Sequence, residues 1–88
     1  MNPIADKLRL VRRRAEAIAD GHFTLFSFTT GYKGCYGTLA PIDDLAYRVI
    51  QALPGFPTLE ELLDWMLTAP EREAHSYHLE EALLEEPA

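Results

Sequence analysis

The segment that most constrains the fold is an aromatic and β-branched stretch, HFTLFSFTT, which begins at His22. Residues of these types favour strands, and glycines at positions 31, 34 and 37 punctuate a second strand that ends near Leu39. We therefore predict one antiparallel β-hairpin from His22 to Leu39. Its turn could be centred at Thr30-Gly31 or at Lys33-Gly34, because glycine accepts the positive φ that tight hairpin turns require. The register stays open.

The apolar residues of the first strand change sides along its length. Alternation places Phe23 and Leu25 on one face, and Phe26 and Phe28 on the other. Either a bulge near Leu25-Phe26 realigns them, or both faces are covered, one by helices and the other by something else, such as a second subunit. Because a two-stranded ribbon is marginal alone, homodimerisation through the hairpin is one hypothesis.

The rest of the chain has the periodicity of amphipathic helices. Apolar positions 4, 8, 11, 15 and 18 predict a first helix over Pro3–Asp20, which Gly21 ends. After the hairpin, Pro41 suits the first turn of a second helix whose apolar stripe, which includes Ile42, runs to Leu53.

Two capping boxes predict the helices of the C-terminal part. Thr58 with Glu61 opens a third helix that runs to about Leu67, and Thr68 with Glu71 opens a last helix that runs to about Glu86. The fold class is therefore α+β, in the order α-β-β-α-α-α: a long N-terminal helix, one hairpin and three C-terminal helices. We expect one small domain over residues 1–88, with its last few residues frayed.

The remaining composition suggests a cytoplasmic protein. No apolar run approaches the ~18 residues that a membrane span requires, and charged residues occupy the start of the chain where a signal peptide would be apolar. Cys35 is the only cysteine, so an internal disulfide is excluded.

The net charge of −6 is unevenly distributed. Residues 1–37 carry six basic and three acidic side chains, a net +3, whereas residues 38–88 carry two basic and eleven acidic ones, a net −9. An acidic surface of this kind disfavours nucleic acid and anionic membranes and favours a protein partner, with a basic partner as one option.

The leading functional hypothesis is a small non-catalytic interaction or regulatory module that binds a protein partner through its acidic helical half or its hairpin face. Trp65 lies about 100° from the centre of the leucine stripe of its helix, a placement found in binding hot spots unless the last helix covers it. The candidate partner-binding residues are Trp65, Tyr32, Tyr36, Glu80 and Glu81.

The alternative function is nucleic-acid binding by the first helix and the hairpin. In that interpretation Tyr32 and Tyr36 stack on bases, and four cations hold phosphates: Arg12, Arg13, Arg14 and Lys33. The positive charges of the helix spread around most of its solvent arc, however, and Arg12 lies four residues before Glu16. A solvated helix face is the better interpretation, and nucleic acid is the less favoured partner.

An enzymatic function lacks a motif. The glycines match neither nucleotide-binding pattern, and nothing in the sequence places a histidine beside Cys35. His75 and His78 share a helix face but are two ligands where structural zinc requires four. We therefore predict no catalytic residue, no cofactor and no metal site.

Overall fold

The helices and strands follow one another in the order that the sequence predicts. The computed structural model describes residues 2–85, in which no helix has the length and hydrophobicity needed to cross a membrane. The elements are α1 (Pro3–Ile18), β1 (Phe23–Phe28), β2 (Gly31–Tyr36), α2 (Asp44–Ala52), α3 (Leu59–Thr68), α4 (Glu71–Ala74) and α5 (Ser76–Glu85). The α+β class and the order α-β-β-α-α-α are confirmed, with the last helix divided into α4 and α5. The predicted fraying concerns the last few residues of the chain, of which residues 86–88 lie outside the described range.

The hairpin register is continuous and antiparallel, from Phe23 opposite Tyr36 to Phe28 opposite Gly31. The turn is therefore at residues 29 and 30, both predicted turn centres are wrong, and no bulge interrupts β1. Gly31 serves a different purpose, because the backbones of Tyr32 and Phe56 exchange two hydrogen bonds of 2.7 and 2.9 Å beside it. A Cβ on Gly31 would overlap the Phe56 carbonyl.

Helices of the same chain pack against both faces of the hairpin, each side forming its own core. The α1–α3 cluster lies on the face of Phe23 and consists of Val11, Ala15, Tyr36, Leu62, Leu63, Met66, Ala69 and Ala74. The α2–α5 cluster lies on the face of Phe26 and consists of Cys35, Leu39, Ala46, Val49, Ile50 and Leu53, with Leu79 and Leu83 of α5 packed against it. The second face is thus covered at its base by α2 and α5, without a second subunit.

Helix α2 begins three residues later than the sequence suggests. Asp43 is its N-cap, and the Oδ1 atom of Asp43 accepts a hydrogen bond of 2.8 Å from the Ala46 N–H. Pro41 therefore precedes the helix, and the side chain of Ile42 is 82% exposed instead of buried. The predicted helix start at Pro41 is wrong because the Asp43 side chain can accept a hydrogen bond from a free N–H of the first turn. Proline has no side-chain acceptor with which to cap a helix.

The first capping residue is confirmed and the second is wrong. Thr58 Oγ1 accepts a hydrogen bond of 3.2 Å from the Glu61 N–H at the start of α3. Thr68 instead ends α3, where its hydroxyl donates to the Asp64 carbonyl over 3.0 Å. The predicted last helix is also interrupted at His75, whose extended backbone forms a bridge with Tyr36 of β2.

Replacing Gly31 by alanine tests the close approach of Phe56 to the hairpin. Gly31 has φ of +149° and no space for a Cβ, so we expect Gly31→Ala to lower the free energy of unfolding by about 2 kcal/mol or more. Gly55→Ala is the control, because the nearest atom to its Cβ, Lys33 Cε, is 3.7 Å away. Urea denaturation measures both, and equal losses would contradict this role of Gly31.

Candidate functional site

Two of the four cations assigned to phosphate binding contact helix C-termini instead. The Arg14 guanidinium of α1 donates to the carbonyls of Met66 and Ala69, at 2.6 and 2.7 Å, where α3 ends. Lys33 Nζ of β2 donates to the Ile50 carbonyl over 2.9 Å, near the end of α2. Neither helix has a basic residue in its own last turn, so these cations balance the partial negative charge of the helix ends.

The four cations do not form one surface with the hairpin tyrosines. Arg14 lies 5.3 Å from the centroid of the Tyr36 ring, on the face of the α1–α3 cluster. Lys33 is one residue out of phase with Tyr32 and therefore points to the opposite face. Arg12 and Arg13 are exposed on α1.

Of the two tyrosines, Tyr36 is completely buried. Its hydroxyl donates to the Met66 carbonyl over 2.6 Å. Burial raises the pKa of Tyr36, against the opposing effect of Arg14. Tyr36 is thus inaccessible to a partner or a base in the folded chain, whereas Tyr32 is half-buried against the α1–α3 cluster.

Trp65 lies half-buried between the two clusters and packs against both. Its ring centroid is 5.7 Å from that of Phe56. One side of Trp65 lines a groove of about 470 Å³, together with Ala52, Pro54, Arg72, Glu73, His78, Leu79 and Ala82. The last helix therefore covers this tryptophan in part.

Part of the negative charge of residues 38–88 is neutralised by Lys7 of α1. Lys7 Nζ lies 2.8 Å from Asp64 and 3.4 Å from Glu60. Of the two candidate glutamates, Glu80 is half-buried and Glu81 is exposed. A hydrogen bond with Glu81 raises the pKa of Tyr77.

Cys35 is unsuited to act as a nucleophile. Its side chain is completely buried, and burial, assisted by the charge of Glu80, raises the pKa of the thiol to about 12. A protonated thiol is a poor nucleophile at neutral pH. Within residues 2–85, no three His, Cys, Asp or Glu side chains are grouped closely enough to hold a metal ion.

A groove between the hairpin and α2, which the sequence did not reveal, remains open on the face of Phe26. This hairpin groove has a volume of about 430 Å³ and is lined by Phe26, Phe28, Thr30, Lys33, Pro41, Tyr47, Ile50 and Gln51. The side chains of Phe28 and Tyr47 are 43% and 54% exposed. The change of faces along β1 was its one sequence signal, because it puts Phe26 and Phe28 beyond the reach of the α1–α3 cluster.

The two edges of the hairpin differ. The outer edge of β2 pairs with Phe56 and His75. The Tyr32 backbone forms its hydrogen bonds with Phe56, on the side away from β1. Ser27 lies opposite Tyr32, so its N–H and C=O also point outward, away from β2. The N–H and C=O of Leu25, two residues earlier on the same strand, point outward as well. Among residues 2–85, no segment forms a backbone hydrogen bond with Leu25 or Ser27 on this outer side. We call this outer side of β1, FTLFSF, the β1 edge.

Comparisons of the chain with protein-family models, with curated proteins and with solved structures gave no match. The functional argument therefore rests on the geometry of the hairpin groove and the β1 edge.

Replacing Arg14 tests its role at the end of α3. We expect Arg14→Met to lower the free energy of unfolding by about 2 kcal/mol, because it leaves the Ala69 carbonyl without its charged donor. Arg13→Met, on the same helix but exposed, should change it by less than about 0.5 kcal/mol. Chemical denaturation decides, and similar values for the two variants would show that the Arg14 contacts contribute little.

The buried thiol predicts a pH dependence of stability. The unfolded chain releases the Cys35 proton above the ordinary pKa of 9.0, whereas the folded chain holds it up to about 12. This contribution is therefore complete below pH 9 and is lost as the pH rises from 9 to 12, by up to about 1.4 kcal/mol per pH unit.

The control is Cys35→Ala, which keeps Lys7, Tyr36 and Tyr77, whose pKa values are also raised. Urea denaturation at successive pH values should give a smaller decline in the variant than in the original chain. Parallel curves would contradict the prediction.

Proposed function

We propose that this protein is a non-catalytic interaction module that binds an extended segment of a protein partner along the β1 edge. The observation that supports the proposal is the unpaired backbone at Leu25 and Ser27, which offers donors and acceptors to an added strand.

The β1 edge also lacks the features that keep sheet edges from pairing. Its six residues contain no charge and no proline, and no bulge twists it away. The other edge of the same hairpin is covered by Phe56 and His75 of the same chain. An uncovered strand edge without charge, proline or bulge is a template for pairing with another chain.

The acidic helical half contributes to the approach of the partner. Residues 38–88 carry a net charge of −9, which would speed the association of a basic partner at low salt. The nucleic-acid alternative has less support, because Arg14 and Lys33 contact helix ends and Tyr36 is buried.

A second copy of the chain is one partner that carries the required edge. An antiparallel pair of β1 strands centred on Leu25 would form a four-stranded sheet with two-fold symmetry. This homodimer uses the edge of the hairpin, since its own helices already cover the base of both faces.

Ser27→Pro tests strand addition directly. Proline removes the outward N–H of Ser27 without removing a hydrogen bond between β1 and β2, so the hairpin should persist while the edge is blocked. Random peptides selected on the original chain should bind Ser27→Pro at least about tenfold more weakly, and Ser27→Ala, which keeps the N–H, with unchanged affinity. Light scattering after size exclusion shows whether a dimer, if formed, follows the same pattern.

Two further readouts keep the test decisive. Circular dichroism confirms that the variants are folded, and Leu25→Lys provides a second blocked edge that keeps every backbone N–H. Amide shifts at positions 25 and 27 should report peptide binding. Equal binding to Ser27→Pro and Ser27→Ala, or amide shifts confined to the helices, would overturn the proposal.

A further inference from the structure

We propose that the hairpin groove binds a small hydrophobic monocarboxylate, whose apolar body lies on Phe26, Phe28 and Tyr47 and whose carboxylate pairs with Lys33. This site is on a face of the hairpin and does not depend on strand addition at the β1 edge.

The lining of the groove suits the apolar body of such a ligand. Phe26 and Phe28 lie with their ring centroids 6.1 Å apart, and Tyr47, Pro41 and Ile50 lie around them. A volume of about 430 Å³ is within the range of small-molecule sites, which are mostly apolar with a few polar groups. A ligand here would remove the exposed aromatic surface of Phe28 and Tyr47 from water.

The charge of the groove selects an anion. Lys33 is the only charged residue among the described residues that line it, although the chain has 14 acidic and 8 basic side chains. No carboxylate of residues 2–85 forms an ion pair with Lys33. Its neighbourhood in the groove is therefore positive, and the other lining residues are uncharged.

The ammonium of Lys33 keeps donors for a ligand. It donates to the carbonyl of Ile50, which also lines the groove, and an ammonium group has three donors. The C-terminal end of α2 contributes a partial negative charge of roughly half a unit, which is smaller than the full charge of Lys33. The remaining charge is positive and favours one carboxylate, whereas a second acidic group would meet no further cation in the lining.

The experiment compares three probes with one skeleton and different charges: 3-phenylpropanoate, 3-phenylpropanamide and 3-phenylpropylamine. Each is titrated into the ¹⁵N-labelled chain, and amide shifts give the affinity and the position of binding. We expect the acid to bind with shifts at residues 26, 28 and 47, about fivefold more tightly than the amide, and the amine to bind most weakly.

Variants separate this role of Lys33 from its contact with α2. Lys33→Met keeps the aliphatic stem and should abolish the preference for the acid over the amide, whereas Lys33→Arg should retain it. Phe28→Ser should weaken both probes, and Arg13→Met on α1 should affect neither. Circular dichroism establishes that each variant is folded.

The preference of the original chain for the acid is a test that needs no variant. The proposal is overturned if the acid and the amide bind equally, if neither binds, or if the shifts lie outside the groove. It is also overturned if Lys33→Met lowers only the stability and keeps the preference. Acetyl-Gly-Phe is a further probe. If this peptide binds and 3-phenylpropanoate does not, the groove would be assigned to peptide C-termini instead. Ser27→Pro should leave all these results unchanged.

Discussion

Strand β2 is the element against which the rest of the chain is arranged. β1 pairs with one of its edges, and the segments around Phe56 and His75 pair with the other. One face of β2 contributes Tyr36 to the α1–α3 cluster, and the other contributes Cys35 to the α2–α5 cluster. A two-stranded ribbon is marginally stable by itself. In this fold the same chain supplies cover for both faces of the ribbon and for one of its edges.

Long-range contacts from basic side chains hold the helices in this arrangement. Arg14 joins α1 to the end of α3, and Lys33 joins β2 to the end of α2, across 52 and 17 residues of sequence to their nearest acceptors. Both cations donate to carbonyls in the last turn of a helix, where the acceptors are not fully used by the helix itself. Two of the cations that suggested a phosphate-binding surface are therefore part of the packing.

The sequence predicts those features that arise from local patterns. Periodicity identifies α1, α2 and α3, and Thr58 marks the start of α3, because cap and stripe are encoded within a few residues of each other. The errors occur where distant segments decide. The turn avoids Gly31 because Phe56 approaches it, and the last helix breaks at His75 because its backbone pairs with Tyr36. Of the candidate site, the hairpin was predicted, but the groove and the free edge depend on tertiary packing.

The open surface of the hairpin lies near its turn, beyond the part of the hairpin that the helices cover. The apolar side chains on the second face of the hairpin extend from Cys35 at its base to Phe28 beside the turn, whereas the α2–α5 cluster covers the base and reaches only Phe26. Phe28 is therefore left at the border between the hairpin groove and the β1 edge. Exposing apolar surface and unpaired backbone together costs stability and invites association. The apolar residues of β1 lie on one face in its first half and on the other face in its second half, and this arrangement requires two cores. The same arrangement creates the surface on which we place binding.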